Sequence, residues 1–193
     1  IAVLSAGYRT GWKTLQTMAA HQGHPLDDDL AKKTVVRYRK SRPCIVAAWR
    51  VFGEAAVKAI KNPGEAVPAG RHVKFKYGKT GGFTALLMIL PSGRRLVYPD
   101  PRVEVKEVTA DVVSEDEEGN IVTESKTFTA ESIRFYGQPQ GSSHWSWVEV
   151  HGGTLFQNSC QATAGDLLTN GCLLAEDAGS QTCSVLHDQA LAK

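Results

Sequence analysis

A change of hydrophobic period around Asn62-Pro63-Gly64 limits how this chain can fold more than any other feature. Ahead of that breaker, apolar residues recur at the spacing of helices; beyond it they alternate or run together as strands do. Ile45, Ala48, Trp49, Phe52 and Ala56 fall on one face of a helix expected from Cys44 to Ile60, opened by Pro43. Thr10 is placed to cap a helix from Gly11 to Ala20. Asp27-Asp28-Asp29 supplies a cap and first-turn acids for another from Leu30 to Lys40, whose basic end suits the helix dipole. Ile1 to Ala6 reads as the end of a helix stopped near Gly7.

After the breaker, Val73 to Tyr77 alternates and Phe83 to Leu90 is a nearly continuous apolar strand. Pro91-Ser92-Gly93 makes a turn, and Leu96 and Tyr98 lead onward. Val103, Val105 and Val108 alternate toward an acidic turn at Glu115 to Asn120, from which the chain returns through Ile121 to Phe135. Trp145 to Val150 reads as a short strand, and Thr154 to Asp177 as a long helix. Cys183 to Leu186 and Gln189 to Ala192 form two strands about a tight turn. The expected fold class is α+β, helical over residues 1–80 and built on antiparallel strands with one long helix over 81–193.

Charge divides along the same line. Lys and Arg number 15 against 5 Asp and Glu through residue 80, and 7 against 15 afterwards, although the whole chain carries only +2. A basic lobe joined to an acidic one suits a protein that holds a polyanion on one side and gathers cations on the other. The longest apolar run, Ala85 to Leu90, falls far short of the ~18 residues of a membrane span. Ile1-Ala2-Val3-Leu4 does not read as a signal peptide. Cys44, Cys160, Cys172 and Cys183 form no C-x-x-C pair and have no His at zinc spacing, so they read as reduced, mostly buried thiols of a cytoplasmic protein.

Three segments carry chemistry when taken together. The first is Ile1-Ala2-Val3-Leu4-Ser5-Ala6-Gly7-Tyr8-Arg9, in which Leu4 and Tyr8 share a helix face. The second is Leu90-Pro91-Ser92-Gly93-Arg94, with Phe156-Gln157-Asn158-Ser159-Cys160-Gln161 and Asp166 further on. Side-chain amides offer both donor and acceptor, which suits the acceptor-lined minor groove of a duplex. The third is Val185-Leu186-His187-Asp188-Gln189. Alone, each reads as core, solvated helix face or polar turn. In this order and at these spacings, over essentially the whole chain, they resemble the fingers and palm of family-A (phage-type) DNA polymerases.

That resemblance implies a helical fingers subdomain over 1–80 and a partial antiparallel-sheet palm over 81–193, with an acidic hairpin insertion at about 108–129. It implies template-directed addition of deoxynucleotides to a primer 3′-OH by two-metal phosphoryl transfer, with Mg²⁺ as the ion. Asp188 would ligate metal and His187 would stand beside it; Tyr8 and Leu4 would meet the incoming nucleotide; Gln161, Asn158, Arg94 and Gln189 would contact primer–template. Gln189 stands where the family usually has Glu, and Arg9 where a Gly usually follows the Tyr. The family's fingers Lys would fall one residue before Ile1, and the isolated chain is expected to be inactive. The implied partners are primer–template DNA and deoxynucleoside triphosphates, with no membrane; the protein is expected to be a monomer in the cytoplasm, that of the host if viral. The alternative is a non-catalytic nucleic-acid-binding module that keeps the polymerase scaffold.

Overall fold

The structure, a computed structural model, describes residues 7, 9–139, 141–186 and 189–193. The helix end expected over residues 1–6 lies outside them. Among the described residues Gly7 is helical, and three helices follow: α1 (Trp12–His21), α2 (Asp28–Ser41) and α3 (Pro43–Lys61). Asp27 caps α2 as its sequence suggests, its carboxylate accepting the Leu30 N–H at 2.7 Å, with Asp28 and Asp29 in the first turn and Arg39 and Lys40 in the last. Pro43 opens α3, where a missing N–H costs nothing. Thr10 does not cap α1. Gly11 holds that position with no side-chain bond, and its carbonyl accepts from Leu15 N at 3.1 Å. The Thr10 carbonyl instead accepts from Arg39 Nη2 at 3.4 Å.

Strands begin well before residue 80. β1 (Ala66–Ala69), β2 (Val73–Thr80), β3 (Phe83–Ile89) and β4 (Arg95–Pro99) form an antiparallel sheet in that order. The helical reading of 1–80 therefore holds to Lys61, and the β2–β3 hairpin crosses residue 80 through Gly81 and Gly82, at φ 55° and 87°. A second antiparallel sheet holds β5 (Arg102–Glu115), β6 (Ile121–Gly137) and β7 (Ser146–Val150). Its long β5–β6 hairpin closes where the acidic turn was expected: Asp116 accepts from the N–H groups of Glu118 and Asn120 at 3.0 and 2.7 Å. Helix α4 (Gly152–Asp177) follows, and β8 (Thr182–Leu186) pairs with β9 (Gln189–Ala192).

The core sits where α3 and α4 meet the first sheet. Phe75, Leu86, Met88 and Leu155 are fully buried. Phe52 stands edge-on to Phe75 (5.9 Å) and to Phe156 (5.3 Å), so one α3 ring ties sheet and α4 together. Tyr98 and Phe135 meet at 5.2 Å and join the two sheets. The cysteines correct the expectation of burial: Cys44, Cys160 and Cys183 are exposed and Cys172 is half-buried, all four free. Cys160 and Cys172 lie on α4, away from its apolar contact with the core. Among the described residues no helix is long and apolar enough to cross a membrane.

Helices α3 and α4 approach to backbone contact. A Cβ on Gly152 would lie 1.8 Å from the Trp49 carbonyl oxygen and 2.8 Å from Gly53 N, whereas one on Gly53 would meet Gly152 at an ordinary 3.6 Å. Gly152→Ala is expected to destabilise the fold by about 3 kcal/mol, the upper end for overpacking. Gly165→Ala, at an exposed α4 position with nothing within 4 Å, should stabilise it by up to ~1 kcal/mol. Urea unfolding of the two variants beside the wild type measures both.

Candidate functional site

The turn between β3 and β4 is built by Leu90-Pro91-Ser92-Gly93-Arg94. Leu90 N donates to Arg94 O and Gly93 N to Leu90 O, both at 2.9 Å, and Gly93 takes φ 84°. This brings Ser92 and Arg94 onto α4. Ser92 Oγ donates to one oxygen of Asp166 at 2.5 Å, Arg94 Nε donates to the other at 2.6 Å, and Arg94 Nη2 donates to the Ala162 carbonyl at 2.8 Å. The Asp166 carboxyl is held below its ordinary value, chiefly by the Ser92 hydroxyl; desolvation pulls the other way, and Arg94 adds a hydrogen bond and its charge. Arg94 remains about half exposed.

One helical face of α4 carries the rest. Asn158 is half-buried, and its Nδ2 donates to the Tyr98 hydroxyl at 3.0 Å, while burial pushes the Tyr98 phenol up. Gln161 follows, exposed, on the same helix. The structure thus brings Asn158, Gln161 and Arg94 to one place, and it also gives Asn158 and Arg94 protein partners that the sequence did not indicate. Tyr98, Ser92 and Asp166 are the residues sequence reasoning missed as supports. Their signal is long-range, since Arg94 and Asp166 lie 72 residues apart. Gln189 is exposed at the start of β9, which lies against α4, and it stands opposite Leu186 in the register. Leu4, Tyr8, His187 and Asp188 lie outside the described residues.

A cleft of about 970 Å³ opens between α3 and the strands β6 and β7, lined in part by Arg9, Arg39, Arg50, Lys61, Glu131 and His151. Arg50 pairs with Glu54 at 3.8 Å and Lys61 with Glu131. Among the described residues Arg9 and Arg39 have no carboxylate partner. Burial, and then the charge of Arg9, lowers the Arg39 guanidinium. His151 caps α4, accepting the Thr154 N–H at 3.3 Å, and its imidazole is lowered by burial and by Arg9, with Glu149 opposing. Arg9 sits at φ 63°, the left-handed conformation a glycine adopts without strain and a side chain at a cost of about 1–2 kcal/mol.

The acids of the second sheet face the basic helices. Lys13 of α1 pairs with Asp111 at 3.0 Å, Lys40 of α2 with Glu115 at 2.7 Å, and Lys61 of α3 with Glu131. Part of the charge asymmetry is therefore met within the molecule. Among the described residues no three His, Cys, Asp or Glu side chains gather as they do around a metal ion.

The chain is similar to a phage DNA polymerase. A DNA polymerase of Bacillus phage SP02 is 30% identical over 193 residues, 99% of this chain and 26% of the relative. The chain thus spans about a quarter of the relative's length. No family model and no solved structure matches it.

The Ser92–Asp166–Arg94 cluster yields a pH prediction. A carboxyl whose folded value is depressed adds stability that is fully present above its unfolded value, near pH 4, and is lost as pH falls through the folded value. Ser92→Ala and Arg94→Gln should each raise the Asp166 midpoint, followed by carboxyl NMR titration. The stability difference between wild type and Ser92→Ala should shrink as pH drops below about 4.

Proposed function

We propose that this chain forms the fingers and part of the palm of a family-A DNA polymerase that adds deoxynucleotides to a primer 3′-OH on a DNA template. The observation that carries the reading is the 30% identity to a phage DNA polymerase over 99% of the chain. It is supported by a helix-rich, basic first part, an α+β second part and an amide-bearing helix packed on a Ser-Gly-Arg turn. In this reading residues 1–80 are fingers, 81–193 are palm, the β1–β4 sheet lies across the two, and the hairpin over about 108–129 is an insertion.

Gln161 and Asn158 contact the primer–template minor groove, with Tyr98 fixing the Asn158 amide. Arg94 reaches a backbone phosphate, with Asp166 and the Ala162 carbonyl setting its plane, and Gln189, on the strand that packs against α4, also contacts primer–template. Arg9 and Arg39, without carboxylate partners among the described residues, add phosphate-binding charge. Tyr8 and Leu4 meet the incoming nucleotide. Asp188 is a metal ligand and His187 its neighbour near the primer end. When bound, two Mg²⁺ ions supply activation of the 3′-OH and neutralisation of the triphosphate. The protein works as a monomer in the cytoplasm of the host.

Two measurements test this. In the polymerase that carries this segment, Asp188→Asn should slow primer extension at least ~100-fold while primer–template affinity holds. Extension that survives the change removes Asp188 from the active site. Leu4→Tyr should raise incorporation of dideoxynucleotides relative to deoxynucleotides by roughly tenfold, because the phenol replaces the hydrogen bond that the missing 3′-OH made. An unchanged ratio would place Leu4 away from the sugar.

A further inference from the structure

The outer face of the β5–β7 sheet carries an aromatic cluster that neither the core nor the residues assigned above make use of. Antiparallel pairing sets Tyr136 directly opposite Trp147, and Trp145 precedes β7 on the same edge. Tyr136 lies 5.7 Å from the Trp147 ring and 6.0 Å from the Trp145 ring. Tyr136 is 43% and Trp145 57% exposed, while Trp147 is half-buried. The Arg102 guanidinium lies 4.2 Å over the Trp147 ring and is itself exposed, with a 3.4 Å ion pair to Asp100. Further along this face the charges are paired, Arg134 with Glu104 at 3.2 Å and Lys106 with Glu149 at 2.6 Å. The three-ring cluster with Arg102 therefore lies at one end of the face, and Phe128, 46% exposed, is a further exposed ring nearer the hairpin tip.

We propose that Tyr136, Trp145, Trp147 and Arg102 form a platform for the unpaired bases of single-stranded DNA. Three features commit the surface to this occupant. Rings held at angles to one another leave open π-faces, and every base has a π-face to stack on them. Arg102 brings the cation that a phosphate-linked strand needs beside the rings. The surface is a twisted antiparallel sheet, on which successive bases can lie against side chains that all point to one face. The platform rests on the polymerase reading above, because a template strand ahead of synthesis supplies unpaired bases. It lies on a different sheet from the Arg94 turn and so adds a contact separate from the duplex.

The experiment measures binding of the 193-residue chain to three fluorescein-labelled probes: an oligo-dT strand, an abasic strand of equal length and charge, and a blunt duplex. Oligo-dT should bind more tightly than the abasic strand and quench tryptophan fluorescence. Trp145→Ala with Tyr136→Ser should weaken oligo-dT binding roughly tenfold or more, since stacking contributes about 1–3 kcal/mol per base. The same variant should leave the abasic strand and the duplex unchanged. Trp145→Phe, which keeps a ring, should hold most of the affinity and control for folding. Equal binding of oligo-dT and abasic strand, or oligo-dT affinity unmoved by the double variant, overturns the platform and leaves the face to a protein partner. Loss of blunt-duplex binding by the wild-type chain would instead strike the polymerase reading, so the two failures are distinguishable.

Discussion

Where α3 crosses the start of α4, the two backbones touch with no side chain between them. Gly152 has room only for a hydrogen beside the Trp49 carbonyl, and Gly53 faces it from the other helix. That contact sets the distance and angle of α4 over the first sheet. It puts Leu155 into the core, lets Phe52 reach Phe156, and carries the chain from β7 straight into the helix. Everything said of Asn158, Gln161 and Asp166 depends on this placement, since α4 carries all three past the β3–β4 turn.

Much of the fold was legible because period and punctuation agree. The α3 face of Trp49, Phe52 and Ala56 is buried as its spacing implies, and Asp27 caps where its neighbours ask for a cap. The acidic turn was legible because Asp116 and Asn120 offer local bonds that end a ladder. The cap fell on Gly11 because α1 begins one residue later than expected, at Trp12, and the Thr10 carbonyl accepts instead from Arg39, 29 residues away, a pairing that a single sequence does not display. The cysteines failed for a similar reason: average burial says nothing of which helix face meets a neighbour. The alternation from Val73 to Tyr77 was legible as a strand, with lysines outward and Val73 and Phe75 inward, whereas β1, only four residues long and holding Pro68, was not.

The candidate site divides the same way. Motif spacing led to Arg94, Asn158 and Gln161, which the fold does gather on one side of α4. Spacing could not reveal that Arg94 and Asn158 are already held by Asp166 and Tyr98, since those partners come from distant elements. Holding a recognition side chain by a protein partner removes rotamer freedom before any ligand arrives, which lowers the entropic cost of contact. Arg9 illustrates the reverse case. The resemblance put Arg9 where a Gly was expected, and its φ of 63° is a conformation that a glycine adopts without strain.

The acids of the β5–β6 hairpin, meeting Lys13, Lys40 and Lys61, also shape the field at a distance. A lobe with bare lysines radiates as a single positive pole and draws a polyanion from beyond a Debye length of about 8–10 Å. Opposed charges a few ångströms apart cancel one another at that range and leave only short-range structure. The chain therefore steers a polyanion less than its residue tally suggests. In the polymerase reading proposed above, this trims rather than removes the steering of a DNA strand, since three pairs offset only part of the excess of 15 Lys and Arg over 5 Asp and Glu through residue 80.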